Sequence, residues 1–173
     1  NDTIPPLMAM GAEVVLVSSA GERVVPLESF YTGFRKTVLR PNELLREIRV
    51  PALQAHQRGI FLKLGLRRAQ AISVIDLAIV LSFEHDDPST ATITDARIAL
   101  GCLAPTVVRA PTAERFLIGK TLSEAVNAEA GRLACDDAAP IDDLRGSASY
   151  RRTTLANLIA DGLARIAADR EDE

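Results

Sequence analysis

Few side chains in this 173-residue chain have a type and spacing that could do chemistry. Arg67 and Arg68 stand together in a short connection between apolar runs. Paired guanidinium forks there could hold a phosphate or carboxylate, or be plain surface charge. Asp76 lies inside an apolar, β-branched run, where a carboxylate is costly unless it is paired or hydrogen-bonded. It either points to an open face or pairs with an arginine such as Arg68 or Arg97. Asp136, Asp137, Asp142 and Asp143 form an acidic loop, but not with the spacing of a calcium loop. His56 sits alone in a polar linker, with no second ligand at metal spacing. Cys102 and Cys135 make no CxxC, zinc pattern or disulfide framework, and Cys102 in a strand-like run reads as a buried thiol. No nucleophile elbow, P-loop, GxGxxG or HExxH occurs. These residue types do not assemble a self-contained catalytic centre, and no residue is assigned as catalytic acid or base.

The bulk numbers exclude several classes. A net charge of −3 without a basic stripe argues against nucleic acid as a partner. No tryptophan and an aromatic share of 4% leave few platforms for stacking bases. No apolar run approaches the roughly 20 residues of a membrane span. The first residues lack the basic start and apolar run of a signal peptide. A reducing, cytoplasmic setting is expected.

The chemistry-bearing residues are strung along a central stretch, Gly59 to Leu103, that reads as three extended runs. Residues 59–66 are short and apolar, 73–83 are long and β-branched, and 92–103 alternate with period two. The polar connection 84–90 carries Pro88, as a hairpin loop should. The expected fold class is α+β, with a three-stranded antiparallel sheet covered on one face by helices. Before it, Asp2 or Thr3 could cap a helix ending at Gly11. Residues 12–17 and 24–27 form a hairpin, 29–37 read as loop, 39–45 as a turn with one turn of helix, and 46–50 as a strand. After the sheet, helices are expected over 113–118 capped by Thr112, over 122–135 with Ser123 as cap, and over 150–168. The tail 169–173 is charged and expected to fray. The division falls near residue 56, into segments 1–56 and 57–173. The first is too small to bury much core alone.

Four blocks carry a resemblance, in order along nearly the whole chain. They are Phe34 to Pro51 (FRKTVLRPNELLREIRVP), Lys63 to Ser73 (KLGLRRAQAIS), Ala99 to Ala110 (ALGCLAPTVVRA) and Asp142 to Arg152 (DDLRGSASYRR). Together they resemble the medium, FAD-binding subunit of the xanthine dehydrogenase and carbon monoxide dehydrogenase flavoproteins, the molybdenum hydroxylases. The resemblance implies that residues 1–56 are the end of a second FAD subdomain and 57–173 a complete C-terminal domain. The glycine-rich diphosphate loops of the family's first FAD subdomain are not in this sequence, so retention of FAD by this chain alone is an open expectation. The resemblance carries cofactor contacts onto Asp2, Leu45 and Lys63. A helix cap, a core leucine and a strand lysine are the plain alternatives. It implies FAD in this subunit, [2Fe-2S] clusters in an iron–sulfur small subunit and a molybdenum cofactor in a large subunit. Electrons would pass from the clusters through FAD to an acceptor such as NAD. The alternative is a docking or assembly module that does not hold FAD by itself.

Overall fold

A computed structural model describes residues 2–168. Its centre is an antiparallel sheet in the order β6-β7-β8-β9, with β6 Gln57–Gly65, β7 Ser73–Phe83, β8 Ile93–Gly101 and β9 Val108–Arg109. The first three strands match the three extended runs of the sequence. The fourth is a two-residue edge strand that pairs Leu100 with Val108 and Ala99 with Arg109. Its segment is bounded by Pro105 and Pro111, which hid it from a reading by period.

Every residue of β7 is buried, because both faces of the sheet are covered. One face carries Ile75, Leu77, Ile79 and Leu81 against α3 Pro111–Leu117, α4 Glu124–Ala134 and α5 Ala148–Ala167. The other carries Ala78, Val80 and Ala99 against the amino-terminal segment, including α1 Ile4–Ala9. Covering one face with helices was expected. The second face is closed by α1, whose Ile4, Met8 and Ala9 share its apolar cluster.

A second sheet, in the order β2-β1-β5, is built from β1 Glu13–Ser18, β2 Gly21–Pro26 and β5 Leu44–Arg49. Between β2 and β5 lie the short helix α2 Leu27–Phe30 and the strands β3 Tyr31–Gly33 and β4 Lys36–Thr37. The stretch read as a loop over 29–37 is thus a small two-stranded ribbon. No helical turn forms over 39–45. Glu43 instead takes the Arg23 guanidinium and the Arg40 N–H, which pins that turn by side-chain bonds.

Helix starts follow local capping. Ser123 accepts from the Val126 N–H at α4, and Ser147 from the Tyr150 N–H at α5. Thr112 is not the cap of α3. That helix opens one residue earlier at Pro111, and Asp137 accepts both the Thr112 N–H and its hydroxyl. A carboxylate distant in sequence satisfies the orphan donor there. At Gly131, α4 meets α5 backbone to backbone; a Cβ there would fall 2.2 Å from the Ala156 carbonyl oxygen. Among the described residues no helix is long and apolar enough to cross a membrane.

Candidate functional site

The register of β6 on β7 places Lys63 opposite Asp76, and that of β7 on β8 places Asp76 opposite Gly101. Asp2 reaches this row from the amino-terminal segment. Lys63 Nζ donates to Asp2 Oδ2 at 2.5 Å, and the Ser73 hydroxyl donates to Asp2 Oδ1 at 2.8 Å. Two residues 61 apart in sequence therefore share one ion pair. The Lys63 and Ser73 hydrogen bonds hold the Asp2 carboxyl at a pKa of about 2. Asp2 is therefore ionised at neutral pH.

Asp2 and Lys63 form the rim of an open groove of about 700 Å³, whose other walls come from the 64–71 turn. Arg67 in that turn is fixed by two hydrogen bonds to the Gln70 carbonyl. Gln70 takes a left-handed conformation, with φ of 49°, to present that carbonyl. Arg68 also lines the groove, and Leu66 and Ile72 stand exposed beside it. Lys63, Arg67 and Arg68 against Asp2 leave the groove cationic. It offers charged donors for an anion and apolar side chains for a flat ring.

Leu45 lies elsewhere. It sits on β5, paired with Leu16 of β1, 41% exposed, and does not line this groove. Of the three sequence-derived contact residues, the fold brings Asp2 and Lys63 together and keeps Leu45 apart. Asp76 does not pair with Arg68 or Arg97. Arg97 is bound to Asp95, while Asp76 is 1% exposed and faces Asp2 and Ser73. The even parity of β7 turns Asp76, with Ala78 and Val80, toward the amino-terminal segment, and the register holds Arg97 opposite Val80, four residues along the strand. Sequence reasoning missed Ser73 in the cluster, because no local pattern joins it to Asp2.

A second depression, about 470 Å³, opens between the β8–β9 connection and the segment before α5. Phe34, Cys102, Pro105, Ile141, Arg145 and Arg151 are among its walls. Arg151, with 3% of its side chain exposed, binds the Cys102 and Ile141 carbonyls and Asp143. Arg151 and the Arg145 N–H hold the Asp143 carboxyl at about 2. Burial pushes the Cys102 thiol up, so it is not a thiolate nucleophile. Among the described residues no group of three or more His, Cys, Asp or Glu is placed to hold a metal ion.

Two sheets, helices on the larger one and a cationic groove where the two parts meet define an α+β fold with a site suited to an anionic ligand. Residues 61–166 match the family model of the CO dehydrogenase flavoprotein C-terminal domain, and residues 1–53 that of the FAD binding domain in molybdopterin dehydrogenase. The chain belongs to this CO dehydrogenase flavoprotein family. It is 31% identical over 159 residues to the carbon monoxide dehydrogenase medium chain of Hydrogenophaga pseudoflava, covering 92% of this chain and 53% of that one. It is 30% identical over 159 residues to the xanthine dehydrogenase/oxidase of Gallus gallus, covering 88% of this chain and 11% of that one. Among solved structures, the carbon monoxide dehydrogenase of H. pseudoflava lacking the Mo-pyranopterin moiety matches at TM-score 0.85 and 32% identity, over 95% of this chain and 55% of that one. Reconstituted CO dehydrogenase from Oligotropha carboxidovorans matches at TM-score 0.87 and 28% identity, over 97% and 57%. The chain thus spans about half the length of these medium chains, and FAD is the cofactor of its fold.

Proposed function

We propose that this chain forms one wall of the FAD site in a molybdenum-hydroxylase-type oxidoreductase, in a cytoplasmic complex. Residues 1–56 act as the end of the FAD-binding domain and 57–173 as the C-terminal domain. The observation that carries the reading is the Asp2–Lys63 ion pair. It ties the segment matching the FAD-binding model to the segment matching the C-terminal model, at the rim of a cationic groove.

FAD suits this site because the groove offers an ammonium and two guanidiniums to an anionic or carbonyl-rich ligand, with Leu66 and Ile72 beside it. Lys63 has three N–H donors, one of which goes to Asp2; among the described residues the others have no hydrogen-bond partner and would serve the cofactor. Asp2 orients that ammonium, and Ser73 orients Asp2. Leu45 supplies an apolar contact apart from the groove. Bound FAD would collect electrons from [2Fe-2S] clusters of a small subunit, fed by the molybdenum cofactor of a large one, and deliver them to an acceptor such as NAD. The protein's part is position and charge.

The test is FAD titration followed by flavin fluorescence, on the wild type, Lys63→Ala and Arg132→Ala. Arg132 pairs with Glu129 on the surface of α4 and serves as control. Loss of one charge-assisted hydrogen bond is expected to weaken binding of FAD by about 10- to 100-fold in Lys63→Ala. Equal affinity in all three, or no binding of flavin by the wild type, would sink the proposal.

A further inference from the structure

Asp76 is the one buried acid next to this rim that the proposed function does not use. Among the described residues its Oδ1 has no hydrogen-bond partner, and it is shut in against Gly101. Its neighbours within hydrogen-bonding reach are Asp2 and Ser73. The Ser73 hydroxyl owns a single proton and gives it to Asp2. An ionised Asp2 can only accept. Toward Asp76, Asp2 can therefore only accept, and the one Ser73 proton is already engaged by Asp2. A second carboxylate there would face acceptors on one side and carry charge on a donorless oxygen on the other. A neutral acid in the same place has a proton to donate.

We propose that Asp76 is a positioning residue: a carboxylic acid, protonated at neutral pH, that donates to the Asp2–Ser73 pair and so holds Asp2 against Lys63. This rests on the reading of Asp2 and Lys63 as cofactor-facing residues, and adds to it the group beneath them. Every element around Asp76 fits the assignment. Lys63 on β6 is its register partner, yet its ammonium is bound to Asp2. Gly101 on β8 has no side chain to offer, and Cys102 after it is a protonated thiol. The amino-terminal segment brings the Asp2 charge, which disfavours a second anion. Any share of the Ser73 hydroxyl acts the other way, more weakly than burial, which pushes the Asp76 carboxyl above its ordinary value.

The proton moves nowhere in this arrangement; it stays on Asp76 and is shared by hydrogen bond. The role of Asp76 is therefore visible in the titration of Asp2. The acid form stabilises the Asp2 carboxylate, as does the amide of Asp76→Asn, which also donates. Asp76→Val removes the donor at similar volume.

The experiment is carbon-detected NMR of side-chain carboxyls in the flavin-free chain, labelled at aspartate, from pH 2 to 8. Asp76 is expected to show the carboxylic-acid shift at pH 7, a signal missing from Asp76→Asn. Asp2 is expected to titrate near its wild-type value in Asp76→Asn, and about one unit higher in Asp76→Val. An Asp76 signal that titrates in the ordinary aspartate range overturns the proposal without any variant needing to fold. So does an Asp2 titration that is the same in all three proteins. No flavin enters these measurements, so their failure leaves the FAD reading standing, and failure of FAD binding leaves the Asp76 assignment standing.

Discussion

Replacing Gly101 by alanine tests the packing beneath the groove rim. An ideal Cβ at Gly101 would lie 1.5 Å from Asp76 Oδ1, 2.7 Å from Asp76 Cγ and 3.1 Å from Pro5 Cγ. Ordinary contact needs roughly 3.5 Å, so the Asp76 oxygen must swing by about 2 Å. It has little room, since Asp76 is 1% exposed between β6 and β8. Overpacking of this kind costs about 1–3 kcal/mol, and alanine in a strand regains roughly 0.5–1 kcal/mol over glycine. The net expected loss is about 1–2 kcal/mol, or roughly 3–6 °C in Tm for a chain of this size. The collision is with Asp76, so the penalty depends on it. In an Asp76→Ala background, Gly101→Ala is expected to be neutral or slightly stabilising. Urea denaturation of wild type, both single variants and the double variant, followed by circular dichroism, measures the coupling. The expected interaction energy is about 2 kcal/mol. Additivity within roughly 0.5 kcal/mol would falsify the contact between Gly101 and Asp76.

Three further outcomes follow from other parts of the fold. Gly131→Ala should destabilise by about 1–3 kcal/mol despite alanine's better helix propensity, because its Cβ meets the Ala156 backbone of α5; a rise in Tm would contradict that close approach. Arg151→Met should cost about 3 kcal/mol in chemical denaturation, since it strands the Cys102 and Ile141 carbonyls and Asp143; a change under about 1 kcal/mol would mean those bonds are dispensable. For acid stability, Asp2, Glu43 and Asp143 all fall to about 2 from ordinary values of 3.8 to 4.5. The unfolded chain therefore binds more protons between about pH 2 and 4.5, and their contribution is complete above that window and lost as pH falls through it. Asp76 has the opposite sign, because its raised pKa favours the folded state at low pH and that gain fades as pH rises through its folded value. Glu43→Gln should flatten the acid limb of stability against pH, and an unchanged limb would show that the Arg23–Glu43 bond is not felt there.

The sheet was legible because its signals are local. Period-two alternation in 92–103 and β-branching in 73–83 mark strands that stay strands in any context. The caps at Ser123 and Ser147 are equally local, whereas α3 is capped by Asp137, a residue from another turn. The edge strand at Val108–Arg109 is too short for any periodicity to register. The site divided along the same line. Asp2 and Lys63 were reached through resemblance, and their ion pair forms where the amino-terminal segment meets the Lys63–Asp76 row. The cluster around Asp76 depends on the amino-terminal segment folding back over the sheet, a long-range event that no window of sequence contains. An arginine partner for Asp76 was reasonable by charge, but the register sets Arg97 opposite Val80, four residues along β7 from Asp76, where it binds Asp95.

The central claim is that the groove between Lys63, the 64–71 turn and Asp2 takes FAD. The most direct measurement is an amide NMR titration of the chain with FAD, which registers weak as well as tight binding. Shift changes are expected to concentrate at Asp2, at residues 63–73 and, separately, near Leu45. Changes confined to other surfaces, or none with FAD in large excess, would contradict the account.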